Sequence, residues 1–135
     1  MKLIIKTKPF SFHLTRKLIT SQGIVSKKIG LLLQIKDYEG NCGWGEVSPI
    51  QADELKKCIE CLDVIGKITT KNSIENYLLE LPGALAFGLG SSLADLDNRT
   101  EHKPNFKRLN IQKSSYLLPT DIDPLESIIE YIERS

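Results

Sequence analysis

The clearest hydrophobic pattern in the chain lies between Val25 and Asp37. There Ile29, Leu31, Leu33 and Ile35 alternate with Lys28, Gly30, Gln34 and Lys36, and Leu32 alone is apolar on the second face. A period of two predicts a strand buried on one side. Upstream, Lys2 to Leu14 mixes Leu, Ile, Thr and Phe with lysines. It predicts a first strand, with Pro9 marking an edge position or a bulge. Thr15 to Gly23 is polar and basic and ends in glycine, which predicts a loop. Asp37-Tyr-Glu-Gly-Asn41 predicts a tight turn, because Gly40 and Asn41 tolerate positive φ. Cys42 to Val47 then forms a third strand, and three consecutive strands with short connections predict an antiparallel meander.

After Pro49 the period changes to that of a helix. Leu55, Cys58, Ile59, Leu62 and Ile65 recur at helical spacing, with Asp53 as the expected N-cap. Asn72-Ser73 caps a short helix through Ile74, Tyr77 and Leu78, and Pro82-Gly83 ends it. Ala84 to Leu96 is nearly uncharged and rich in small residues, so it predicts a helix packed on most of its circumference. Asn98 to Ser114 is polar and basic and predicts a surface connection. Tyr116-Leu-Leu-Pro119 is a short strand-like run, and Asp123-Pro124-Leu125-Glu126 combines an N-cap, a proline at N1 and an acid at N3. The helix it starts runs through Ile128, Ile129 and Ile132. The expected fold class is α+β: a three-stranded antiparallel meander followed by a helical bundle.

Composition narrows the function classes. A chain of 135 residues suits one domain, and 41% hydrophobic with 26% charged residues is ordinary for a globular protein. Eighteen basic against seventeen acidic residues give a net charge of +1, so no charge-driven binding to nucleic acid or membrane is expected. No apolar run approaches the ~20 residues of a membrane span. The N-terminus is too short in apolar residues and too often charged for a signal peptide. With three cysteines, an odd count, this predicts a reducing, cytoplasmic setting. Cys58 and Cys61 form a C-x-x-C, but on a helical apolar stripe and without two further zinc ligands nearby they predict structural thiols.

Few residues present chemistry of their own. Glu46 stands in Gly43-Trp-Gly-Glu-Val-Ser-Pro49, where two glycines in a strand cost packing and backbone entropy. Two readings stand: an irregular strand end whose Trp44 fills the core, or a carboxylate held at the rim of a site. Gly88-Leu-Gly90-Ser-Ser92 lacks the lysine of a phosphate loop and predicts helix packing by small residues. Asp95 and Asp97 are two apart on a helix and do not face each other, and His13 and His102 stand in no recognisable triad pattern.

The order of motifs adds a resemblance. Ile19-Thr-Ser-Gln-Gly23, then Lys28-Ile-Gly-Leu-Leu-Leu33, then Asp37-Tyr-Glu-Gly-Asn-Cys-Gly-Trp-Gly-Glu-Val-Ser-Pro49 resemble the N-terminal capping domain of the enolase superfamily. Within it, the pattern looks most like the o-succinylbenzoate synthase family. Pro82 to Leu96 looks like that family's helix ending in an Ala-x-x-Asp-Leu segment, and Ser115-Tyr-Leu-Leu-Pro119 resembles its first barrel strand. The resemblance implies residues 1–112 as a capping domain and 113–135 as the first strand and helix of a TIM barrel.

The family's implied chemistry is a lyase reaction of menaquinone or phylloquinone biosynthesis. A lysine abstracts a proton beside a carboxylate, Mg²⁺ stabilises the enediolate, and water is lost. The lysines and three acidic metal ligands of that family lie on the second and later barrel strands, and a barrel needs ~200 residues or more. They would fall beyond Ser135, so the chain alone is expected to hold no catalytic residue and no Mg²⁺. What carries over is substrate contact from two cap loops: Thr20, Ser21, Gln22 and Gly23, and then Glu46, Ser48 and Pro49. Their implied role is to exclude water and shape the pocket. The expected partner is a small-molecule substrate held through the missing barrel, with self-association through the exposed barrel-facing surface. The alternatives are a non-catalytic capping domain serving as an interaction module or relict, and a fragment of a dipeptide epimerase or muconate cycloisomerase.

Overall fold

The computed structural model describes residues 2–100, with side chains described as far as Asp97. Its elements in chain order are β1 (Lys2–Thr20), β2 (Gly23–Lys36), β3 (Cys42–Val47), α1 (Ala52–Ile65), β4 (Ile68–Thr70), α2 (Lys71–Tyr77) and α3 (Gly83–Thr100). The architecture is α+β, as the change of period predicts. The strands form one sheet in the order β3-β2-β1-β4. The meander therefore has a fourth strand. Ile68–Thr70 is too short to show a period, and its pairing with Lys2–Ile4 reveals it only in three dimensions.

Residues 13–27 fall in a different compact unit from residues 2–12 and 28–100. Within it, the predicted loop at Thr15 to Gly23 is corrected. β1 continues to Thr20, β2 begins at Gly23, and only Ser21 and Gln22 turn. The residues are polar because both faces of this part of the hairpin meet solvent, and polarity alone does not break a strand paired along its length.

In the larger unit, β2 alternates as predicted: Leu31, Leu33 and Ile35 are buried and Leu32 is exposed. β3 pairs antiparallel with it, Leu31 opposite Val47, Leu33 opposite Gly45 and Ile35 opposite Gly43. The buried face of this sheet, with Leu3 and Ile5 of β1, packs on Cys58 and Leu62 of α1, Ile74 of α2 and Leu85, Leu89, Leu93 and Leu96 of α3. Cys58 and Cys61 are free thiols, the first buried and the second half-buried on the predicted stripe.

The helix starts differ from expectation. Gln51, not Asp53, is the N-cap of α1 and makes no side-chain capping bond, while Asp53 and Glu54 lie in the first turn, where the helix dipole favours them. Thr70 caps α2 by accepting the Ser73 N–H, just ahead of the predicted Asn72-Ser73 start. α3 is buried or half-buried around most of its circumference, as predicted, and among its described side chains Phe87, 72% exposed, and Ala94 mark the open strip. It continues to Thr100, past the start of the predicted connection at Asn98. The predicted strand at Tyr116 and helix from Asp123 lie outside the described residues.

Candidate functional site

The Gly-Trp-Gly-Glu block is built by a close approach of α3 to β3. Every second residue of β3 points at the helix, and two of them are glycines. A Cβ on Gly43 would collide with the Ser92 carbonyl oxygen, and one on Gly45 with the Gly88 carbonyl oxygen. On the helix side, a Cβ on Gly88 would come within 2.6 Å of Val47 Cγ2 and 2.8 Å of the Glu46 carbonyl oxygen. Ser92, fully buried in the same contact, donates its hydroxyl to the Gly88 carbonyl at 2.8 Å, so the buried hydroxyl has a partner. The small residues of Gly88–Ser92 thus do pack helix on strand, whereas a Cβ on Gly90 would meet open space.

With the glycines facing inward, Trp44 and Glu46 face outward. The core reading of Trp44 is corrected: it is 50% exposed, opposite Gln34. Its backbone N–H, on the open edge of the sheet, donates to Asp95 Oδ2 at 2.9 Å. Asp95 therefore locks the block to the helix. Asp97, two residues on, instead meets Lys71 at 2.7 Å. The sequence showed that these two carboxylates point apart but gave no sign of their separate partners.

Glu46 lies opposite Leu32 and forms an ion pair with Lys28 at 2.6 Å, both side chains half exposed. The Lys28 ammonium also sits 5.9 Å from the centre of the Phe10 ring, close enough for a cation–π contact. Phe10 reaches this place because Gly30 has no side chain: a Cβ there would come within 2.6 Å of the ring. Ser48 donates its hydroxyl to the Ile29 carbonyl at 2.8 Å, and Pro49 is buried behind it. Of this trio, only Glu46 presents a group to solvent, and its charge is already matched by a lysine that sequence reasoning missed.

The turn that precedes the block is fixed by Asp37, which is 3% exposed. Its carboxylate accepts the Asn41 side-chain amide and the Asn41 N–H, each at 2.8 Å. Those bonds, led by the Asn41 side chain, hold its pKa below the usual carboxylate value. Gly40 takes the positive φ, +94°, and Asn41 does not, so its place in the turn comes from these bonds.

The second group of predicted contacts is the tip of the β1–β2 hairpin. Thr20 Oγ1 accepts the Gln22 N–H at 3.2 Å and donates to the Gly23 carbonyl at 2.8 Å. Gly23 has φ +124°, which a side chain would strain. Ser21, Gln22 and Gly23 are exposed. This tip belongs to the smaller unit, and Glu46, Ser48 and Pro49 to the larger.

Among the described residues, no group of three or more His, Cys, Asp or Glu side chains is placed to hold a metal ion. No described helix is long and apolar enough to cross a membrane.

No known protein-family profile matches the chain, and no curated protein sequence does. Solved structures resemble it. An o-succinylbenzoate synthase from Thermosynechococcus elongatus BP-1, complexed with Mg in its active site, superimposes with a TM-score of 0.54 at 22% identity. That match covers 67% of this chain and 29% of the synthase. A dipeptide epimerase from Enterococcus faecalis V583, complexed with Mg and L-Leu-L-Tyr, gives 0.46 at 18% identity, covering 63% of this chain and 25% of the epimerase. The L-Ala-D/L-Glu epimerase from Bacillus subtilis gives 0.34 at 26% identity, covering 73% and 23%. The chain spans less than a third of the length of each. By fold, the described residues are an α+β domain of the enolase-like capping type.

Proposed function

We propose that this chain is the capping part of an enolase-superfamily lyase of the o-succinylbenzoate synthase type, acting in menaquinone or phylloquinone formation in the cytoplasm. The observation that carries this reading is the contact between its two longest motif stretches. Gly43-Trp-Gly-Glu46 and Pro82–Leu96 stand some forty residues apart in sequence. They meet through Gly43, Gly45, Gly88 and Ser92, with Asp95 bonded to the Trp44 N–H. The likeness to a synthase structure supports the same reading.

In this reading the cap does no bond chemistry. The hairpin tip, Thr20 to Gly23, and the strand end, Glu46 to Pro49, close over a barrel mouth and shape a pocket for a small carboxylate substrate. Metal and base both belong to the barrel in this reading, and the 135-residue chain alone is expected to turn nothing over.

The test grafts residues 1–112 onto the barrel of the Thermosynechococcus elongatus synthase in place of its own cap. The hybrid is expected to dehydrate that enzyme's substrate with Mg²⁺, while the barrel alone and the pure chain do not. A folded hybrid that epimerises dipeptides instead, or turnover by the pure chain, would defeat the proposal.

A further inference from the structure

β1 outruns its neighbour. β4 pairs only with Lys2–Ile4, and one further bond runs from the Ile5 N–H to the Lys67 carbonyl at 2.9 Å. Gly66, at φ +80°, turns the chain away there and leads back to α1. Backbone groups of a strand face alternate edges, so Thr7 and Pro9 point to the side that Ile5 does. No described residue pairs with that edge beyond Ile5. Among the described residues the Thr7 N–H and C=O and the Pro9 C=O are thus offered along it, and Pro9, with no N–H, stands at the edge, one of the two places, edge or bulge, that its sequence allows.

Beside this edge lies a groove of about 660 Å³ between β1 and α1. Its apolar lining includes Ile5, Leu31, Ile59 and Leu62. Among the described residues, Lys6 and Lys67 line it as well, against a single acid, Asp63. A strand edge running along a helix, with apolar depth between them, is the geometry in which an extended peptide adds as a further strand.

We propose that this groove binds a short, extended, acidic peptide segment of a partner protein, which continues the line of β4 along β1. Its backbone pairs with Thr7 and Pro9. Alternate side chains enter the groove against Ile59 and Leu62, and acidic ones between them meet Lys6 and Lys8 on the other face of β1. Charge selects this occupant over a second copy of the same edge, because two strands carrying Lys6 and Lys8 repel each other. The missing Pro9 donor limits the pairing to a few residues. This inference does not depend on the lyase reading.

The test uses the full chain, isotopically labelled, and a capped hexapeptide of alternating valine and glutamate. Binding is expected to shift the Thr7, Ile59 and Gly66 amides and to slow hydrogen exchange at Thr7. A valine–lysine analogue should bind about tenfold more weakly, and an analogue methylated on its backbone nitrogens should lose about as much. Ile59→Lys, at a position already 40% exposed, should abolish binding without loss of thermal stability. Thr7→Pro, which removes the donor, should do the same. Equal binding of the methylated analogue, shifts confined to residues away from β1 and α1, or no binding by the folded chain would overturn the proposal.

Discussion

The Asp95 carboxylate of α3 accepts the backbone N–H of Trp44 in β3, at 2.9 Å across fifty-one residues of sequence. Trp44 lies on an edge strand, where its N–H has no neighbouring strand to bond. The helix supplies the acceptor, and the same helix supplies the glycine and serine that let the strand approach.

Removing that acceptor should loosen the block without unfolding it. Asp95→Ala is expected to cost about 1 kcal/mol in urea unfolding, the ordinary net value of a partly exposed hydrogen bond. Asp95→Asn keeps an oxygen in place and should retain most of the stability. A loss as large for Asn as for Ala would mean that charge, and not the bond, matters.

The glycine positions separate packing from backbone freedom. A methyl group at Gly45 meets backbone and the Ser92 hydroxyl, so Gly45→Ala is expected to destabilise by about 2 kcal/mol or more. Gly90 faces open space in the same helix as Gly88. There the substitution to alanine should raise stability by about 0.5–1 kcal/mol through helix propensity alone. Melting curves of the two variants should move in opposite directions.

Acid should act on the turn before β3. Asp37 has its pKa lowered from 3.8 in the folded chain, first by the Asn41 side chain. The folded state therefore binds fewer protons than the unfolded one, and this contribution is complete above the unfolded value. It fades as pH falls below about 4 and through the lower folded pKa. Asp37→Asn should lower stability at neutral pH and flatten this loss in acid. Urea midpoints at pH 6 and pH 3 would expose the difference, and parallel pH profiles for the two proteins would refute it.

The thiols should differ in reactivity. Burial raises the Cys58 pKa, with Glu54 nearby adding to it. Cys58 has no exposed surface, whereas Cys42 and Cys61 are partly exposed. A thiol reagent near neutral pH should modify two cysteines of the native chain and reach Cys58 only as it unfolds. Equal modification of all three without unfolding would contradict the packing of α1.

Much of this molecule is legible in the order of its residues. Period alone locates β2, since Leu31, Leu33 and Ile35 share a face that only a core can satisfy. Gly40 marks its turn, and Pro9 marks an edge. The candidate site is legible only in part: the Gly-Trp-Gly-Glu block announces itself, but nothing in it says which side chains face inward. The core reading of Trp44 fails because the pleat gives the inner positions to Gly43 and Gly45.

What the sequence determined by itself is local: which segments are strands or helices, where turns fall, and which residues are too small or too polar to be accidental. Tertiary structure decided the pairings. It decided that three residues after α1 become β4, that Asp95 caps the Trp44 N–H, that Lys28 meets Glu46, and that Thr15 to Thr20 extends a strand. The reason is physical. Period and propensity act within a few residues, whereas each of these outcomes depends on a partner brought near only when the core closes.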